Sequence, residues 1–262
     1  MNKELICRID ERGRATLRLN RQQKHNAFDG HLIDDLARRL QQLENDPRVR
    51  LVVLTGAGKH FCAGADLEWL RKLSENSPVQ NRSAFMALAD LLQALNQFAK
   101  PTLALVQGAC YGGGVGLVAA CDIAIAGEGA TFCLSEVKLG LIPATISPYV
   151  TAAIGSRAAR RHILSAEPFS ATEALRTGLV HEVVSDDQLT ERGEFLSTAL
   201  LRNGPQAMSK AKQLLHNVAQ RPLDADLIFD TSTWIADLLS EAEAHEGLQA
   251  FFNKRPPNWT DE

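Results

Sequence analysis

An α/β fold is predicted, and three observations predict it. Continuous apolar runs such as Leu51-Val52-Val53-Leu54 and Thr102 to Val106 read as strands buried on both faces, the signature of parallel pairing. Those runs alternate with helix-period segments, of which Leu32, Ile33, Leu36, Leu40 and Leu43 form the clearest. From Pro148 onward the pattern turns mostly helical, with one short apolar run, Gly178 to Val184.

In chain order, Leu5 to Ile9 and Ala15 to Leu19 flank the turn-like Asp10-Glu11-Arg12-Gly13 and predict an opening hairpin. The first helix closes at Asn45-Asp46-Pro47, and the strand Leu51 to Leu54 ends at Thr55-Gly56. Helical stretches follow from about Leu67 and from about Ser83 to Phe98, stopped by Lys100-Pro101. Thr102 to Val106 is a second strand, Gly112 to Ala120 a helix and Ile123 to Ala126 a third strand. Ser156 to Leu164, Thr172 to Arg176, Gln188 to Leu201, Pro205 to Ala219 and Ala225 to Phe252 carry helical periods with no linker-like break. The expected organisation is a core over residues 1–200 and a helical C-terminal region over residues 201–262.

With 45% hydrophobic and 23% charged residues, the 262-residue chain can bury a core and falls outside the disordered and disulfide-dense classes. A net charge of -3 offers no basic excess to neutralise phosphates, so no nucleic-acid partner is expected. The five cysteines are scattered, lack a CxxC pair or suitably spaced histidines, and read as buried thiols with no metal site. Met1 to Asp10 has neither a signal-type apolar core nor transit-peptide character, which makes the cytoplasm the default expectation. Thr102 to Ala126 is apolar enough to suggest a membrane span, but its glycine cluster and Asp122 fit buried elements better.

Two glycine-rich segments each follow a predicted strand and precede a helix: His60-Phe61-Cys62-Ala63-Gly64-Ala65-Asp66 and Gln107-Gly108-Ala109-Cys110-Tyr111-Gly112-Gly113-Gly114. Helix N-termini leave N–H groups unpaired, and glycine lets backbone approach a ligand, so both segments suit an oxyanion. A tight turn or close helix–strand packing would explain the same glycines.

These residues resemble the crotonase (enoyl-CoA hydratase/isomerase) superfamily. The resemblance runs through Gly56-Ala57-Gly58, Phe61 to Leu67, Val106-Gln107-Gly108, Gly112-Gly113-Gly114, Cys121-Asp122, Phe132, Glu136, Leu139-Gly140 and Pro143. Arg21 and Asn26-Ala27-Phe28 extend it toward the start, Ala171, Ala174 and Gly178-Leu179-Val180 through the middle, and Glu246-Gly247 with Ala250-Phe251 and Lys254-Arg255 to the end. It implies a ββα spiral core, a C-terminal region used in trimerisation (trimer or dimer of trimers), and an acyl-CoA thioester substrate. Coenzyme A then arrives as part of the substrate, with no separate cofactor.

The resemblance further implies an oxyanion hole from the Ala65 and Gly113 N–H groups. Fixed N–H dipoles contribute about 3 kcal/mol per donor to developing charge in comparable sites. Lys24, Ala27, Ala63, Asp66 and Leu67 match coenzyme A or substrate contacts, and Phe251 and Lys254 match positions that approach coenzyme A from a neighbouring subunit. Solvated surface lysines are the alternative reading of Lys24 and Lys254. Family hydratases usually carry two glutamates. Here Glu136 aligns with the second, while Gly116 stands at the first, so Glu136 is the expected acid/base. That departure leaves one-glutamate hydration, double-bond isomerisation and decarboxylation open, with an acyl-CoA-binding or RNA-binding module as the non-enzymatic alternative. Cys133 to Val150 resembles bacterial 3-methylglutaconyl-CoA and γ-carboxygeranoyl-CoA hydratases of leucine and terpene breakdown, which points to a branched, carboxylated enoyl-CoA. A buried second carboxylate needs a cation, and Arg71 and Lys72 are the candidates, with Tyr111 and His245 as weaker contacts.

Overall fold

A computed structural model describes residues 4–219 and 221–260. The predicted hairpin is β1 (Leu5–Ile9) against β2 (Arg14–Leu19), antiparallel with Cys7 opposite Leu17. Helix α1 (Gly30–Asn45) starts at Asp29, whose carboxylate accepts from the Leu32 N–H at 3.1 Å. Strand β3 (Leu51–Gly56), helix α2 (Leu67–Ser74) and helix α3 (Pro78–Asn96) follow. Helix α3 begins earlier than the apolar period predicts, because Ser77 and Gln80 form a capping box and Pro78 fits the first turn.

The apolar stretch from Thr102 to Ala126 is not one helix. It resolves into β4 (Thr102–Val106), β5 (Ala109–Tyr111), α4 (Gly113–Ala120) and the start of β6 (Ile123–Gly127). Beyond it come β7 (Thr131–Cys133), α5 (Ser147–Ser165), β8 (Phe169–Ser170), α6 (Ala171–Thr177), β9 (Glu182–Val184) and α7 (Leu189–Leu201). Three further helices close the chain: α8 (Pro205–Val218), α9 (Ala225–Leu239) and α10 (Ala242–Phe252). The single helical pattern expected over Ala225 to Phe252 is therefore two helices, parted at Ser240-Glu241. No helix among the described residues is long and apolar enough to cross a membrane.

Strands β1-β2-β3-β4-β6-β9 form one sheet, parallel except for the opening hairpin. Side chains alternate between its faces, and both faces are covered. Leu17, Val52, Leu54, Ala104 and Val106 pack under α1, α3 and α4, while Leu51, Val53, Leu103 and Ile125 pack against Leu189 and Leu201 of α7. That double covering is why β3 and β4 read as unbroken apolar runs. A second sheet, β5-β7-β8, turns the chain away from the first and gives the core its spiral.

Candidate active site

The two glycine-rich segments lie side by side because backbone bonds zip them together. Phe61 N–H donates to Gln107 O at 2.8 Å, Cys62 N–H to Ala109 O at 3.1 Å, and Tyr111 N–H to Cys62 O at 2.8 Å. His60 Nδ1 accepts from the Ala109 N–H at 3.0 Å, which fixes the start of β5. A third segment joins them through Asn26. Its fully buried side chain donates to Ala57 O (2.9 Å) and His60 O (2.7 Å) and accepts from Arg21 N–H at 2.9 Å.

This tie determines where the amides point. Phe28 bridges Ala65 in parallel fashion, with Phe28 N–H bonded to Gly64 O and Asp66 N–H to Phe28 O, both at 2.9 Å. In such a bridge the middle residue's own N–H faces the opposite side. The Ala65 N–H accordingly has no acceptor among the described residues. Gly113 is the first residue of α4, and its N–H is likewise unpaired. Gly112 before it adopts φ 49° and ψ −122°, a conformation L side chains rarely reach. Both open amides border one cavity of about 380 Å³.

Glu136 enters that cavity from a short 3-10 turn, Glu136–Leu139, that ends in left-handed Gly140. Its Oε1 lies near Gly112, 3.0 Å from where a Cβ would sit, and its Oε2 is buried without a hydrogen-bond partner. Burial pushes the carboxyl above the ordinary glutamate value, only partly offset by its own backbone N–H. Glu136 is the only acidic or basic side chain among the described lining residues; the polar remainder is Ser135 and Thr145. The walls are apolar: Phe28, Trp69, Phe85, Leu88, Ile142 and Ile146 are among them, with the Trp69 and Phe85 rings 6.2 Å apart.

Of the other predicted residues, Ala63 and Leu67 line the cavity and Ala27 is buried beside it. Asp66 does not line it. Its carboxylate caps α2 through the Glu68 and Trp69 N–H groups and pairs with Arg21 at 3.2 Å. Lys24 Nζ is held by Glu68 at 2.8 Å and Asp66 at 3.7 Å. Arg71 and Lys72, in the last turn of α2, are not among the lining residues, nor are Tyr111 and His245. Phe251 and Lys254 sit at and just beyond the end of α10, away from this cavity, with Phe251 77% exposed. Sequence reasoning missed the contributions of Phe28 and Ile146. Phe28 was visible only as part of a motif; its ring occupies the space a side chain at Gly113 would need.

Two open amides and a desolvated carboxylate around an apolar cavity, on a spiral of two sheets, define a protein of the crotonase superfamily. The family model for enoyl-CoA hydratase/isomerase matches residues 10–262, and the chain belongs to that family. A crystal structure of an enoyl-CoA hydratase from Shewanella pealeana superposes with a TM-score of 0.95 at 45% identity, covering 98% of this chain and 96% of that one. The mevalonyl-coenzyme A hydratase sidH of Aspergillus fumigatus is 34% identical over 247 residues, 93% of this chain and 90% of that protein. The 2,3-dehydroadipyl-CoA hydratase of Escherichia coli is 31% identical over 244 residues, 93% of each.

Proposed function

We propose that this protein is an enoyl-CoA hydratase that works with a single carboxylate. The observation that carries the reading is Glu136, a buried carboxyl with an unpartnered oxygen, placed on the same cavity as the unpaired Ala65 and Gly113 amides. The thioester oxygen accepts from both amides, which stabilise the negative charge that grows on it as the enolate forms. Glu136 takes a proton from water while the water oxygen bonds to Cβ. The same carboxyl returns that proton to Cα as the enolate collapses, so one water is added and Glu136 ends ionised as it began. A raised pKa makes it a better base for the first transfer and still an acid for the second. The names of the relatives support hydration.

The acyl chain that fits is uncharged. A carboxylated chain would bury a second anion in a cavity whose described lining holds no lysine, arginine or histidine, and Arg71 and Lys72 do not supply one. We therefore favour an uncharged chain over the expected branched, carboxylated one, and over decarboxylation, which would need the same buried anion. Isomerisation is the second reading, favoured by the absence of any other acid or base among the described lining residues. In it Glu136 would remove a γ proton and return it to Cα.

Ala63, Ala27, Leu67 and Lys24 are proposed to meet coenzyme A, with Lys24 first giving up its pairing to Glu68. Phe251 and Lys254 are proposed to reach the coenzyme A of a neighbouring copy in a homotrimer or hexamer. The apolar side chains that α8 to α10 leave uncovered, Phe229 at 70% and Phe252 at 75% exposure among them, support such an assembly. Cys62, Cys110 and Cys133 are buried thiols while Cys7 and Cys121 are half-buried, and desolvation pushes Cys62 up to about 12, which suits a reducing compartment such as the cytoplasm. Uncharged and carboxylated enoyl-CoA esters, incubated with the protein and weighed, test the reading. Uncharged esters should gain about 18 Da. No mass change with a moved double bond would establish isomerisation instead, and turnover of the carboxylated esters alone would overturn the uncharged chain.

A further inference from the structure

Gly116 lies on α4 one helical turn beyond Gly113, about 4.5 Å further along the axis at 1.5 Å per residue. A Cβ at that position would fall 2.8 Å from Ile146 Cβ and closer still to Ile146 Cγ2, with Leu92 Cδ2 next at 3.6 Å. The bare flank of α4 is therefore filled by one side chain, delivered from the residue that precedes α5. Ile146 is only 1% exposed, yet it also lines the cavity. Its backbone is helical (φ −90°, ψ −20°), where a β-branched side chain has one strongly preferred rotamer, so it stands as a stiff partition.

We infer that Ile146, seated on Gly116, is the stop that limits how far an acyl chain extends along α4, and that it selects short enoyl chains. The inference rests on the proposed seating of the thioester oxygen at Ala65 and Gly113. From that oxygen's carbon, three bonds in a trans zigzag span roughly 3.8 Å, so a chain running beside α4 meets Ile146 at about its fourth carbon. Gly116 is needed because any larger residue would displace Ile146 into the cavity or separate α4 from α5. Removing the sec-butyl bulk of Ile146 joins the space it fills, which borders Leu92, to the cavity.

The test is kcat/KM for hydration of unbranched enoyl-CoA esters of increasing length by wild type, Ile146→Ala, Gly116→Ala and the double variant. Wild type should favour the shortest chains. Ile146→Ala should raise the ratio of eight-carbon to four-carbon turnover by about tenfold or more, since each accommodated methylene is worth about that factor. Gly116→Ala should lose soluble, active protein or turnover on every chain, and adding Ile146→Ala should restore both, because the new methyl takes the vacated space. An unchanged chain-length profile in folded Ile146→Ala, or a double variant no better than Gly116→Ala, would overturn the stop while leaving the proposed reaction intact. A folded wild type that hydrates no ester of any length would overturn the proposed reaction and the stop with it.

Discussion

Because burial holds the Glu136 carboxyl above the ordinary glutamate value of 4.5, its ionised form is the one the fold disfavours. A carboxyl whose folded pKa is raised adds stability below its unfolded pKa, and that contribution is lost as pH rises through the folded value. Glu136→Gln should therefore melt at a higher temperature than wild type at neutral pH and at the same temperature near pH 4, as calorimetry would show. Catalysis has the opposite need: the base must be ionised, so kcat/KM should fall on the acid side with a midpoint above 4.5. Asn26 carries the other single-residue expectation. Its three buried hydrogen bonds join Arg21, Ala57 and His60, and its φ of 58° is tolerated by asparagine better than by most residues. Asn26→Ala should cost about 3 kcal/mol in denaturant unfolding, by stranding two buried carbonyls and an amide.

Helix α2 is anchored by Asp66, and there the energetics are of a different kind. Burial raises the Asp66 pKa, but the Glu68 and Trp69 N–H groups, with Lys24 and Arg21, outweigh it and hold the carboxyl below its ordinary value. Its contribution to stability is present above the unfolded pKa and lost as pH falls through the folded one. Asp66→Ala should destabilise by about 2 kcal/mol at neutral pH and by less in acid, checked by urea unfolding at both. The longer elements were legible in the sequence because periodicity accumulates over many residues; β4 was read with the bounds it has. Strands β5, β7 and β8 were not, since two or three residues carry no usable alternation and their partners are distant in sequence. The site divided in the same way. The glycine turns and Glu136 stood out as motifs, whereas the pairing of Asp66 with Arg21 and the seating of Ile146 on Gly116 depend on contacts between segments 30 or more residues apart. The continuous apolar patterns of β3 and β4, by contrast, reported tertiary burial directly.

At the scale of the whole molecule, the first sheet and its helices bury their apolar faces within one chain, while the last helices do not. Leu215, Phe229, Ile235, Phe251 and Phe252 are all more than 60% exposed, and they are the surface the proposed assembly of copies would cover. Light scattering after size exclusion should give three or six times the 28.6 kDa chain mass, and a stable species of one chain mass would contradict the assembly. At the proposed active site a single desolvated carboxylate, facing a carbonyl held by two backbone amides, adds water to an enoyl thioester. Its most direct test is the product mass from an uncharged short-chain enoyl-CoA, followed over the same interval with wild type and with Glu136→Gln. Wild type should yield a product heavier by about 18 Da, and the variant should form it at least a hundredfold more slowly while still binding the thioester. Equal rates of that product from both proteins would contradict the claim.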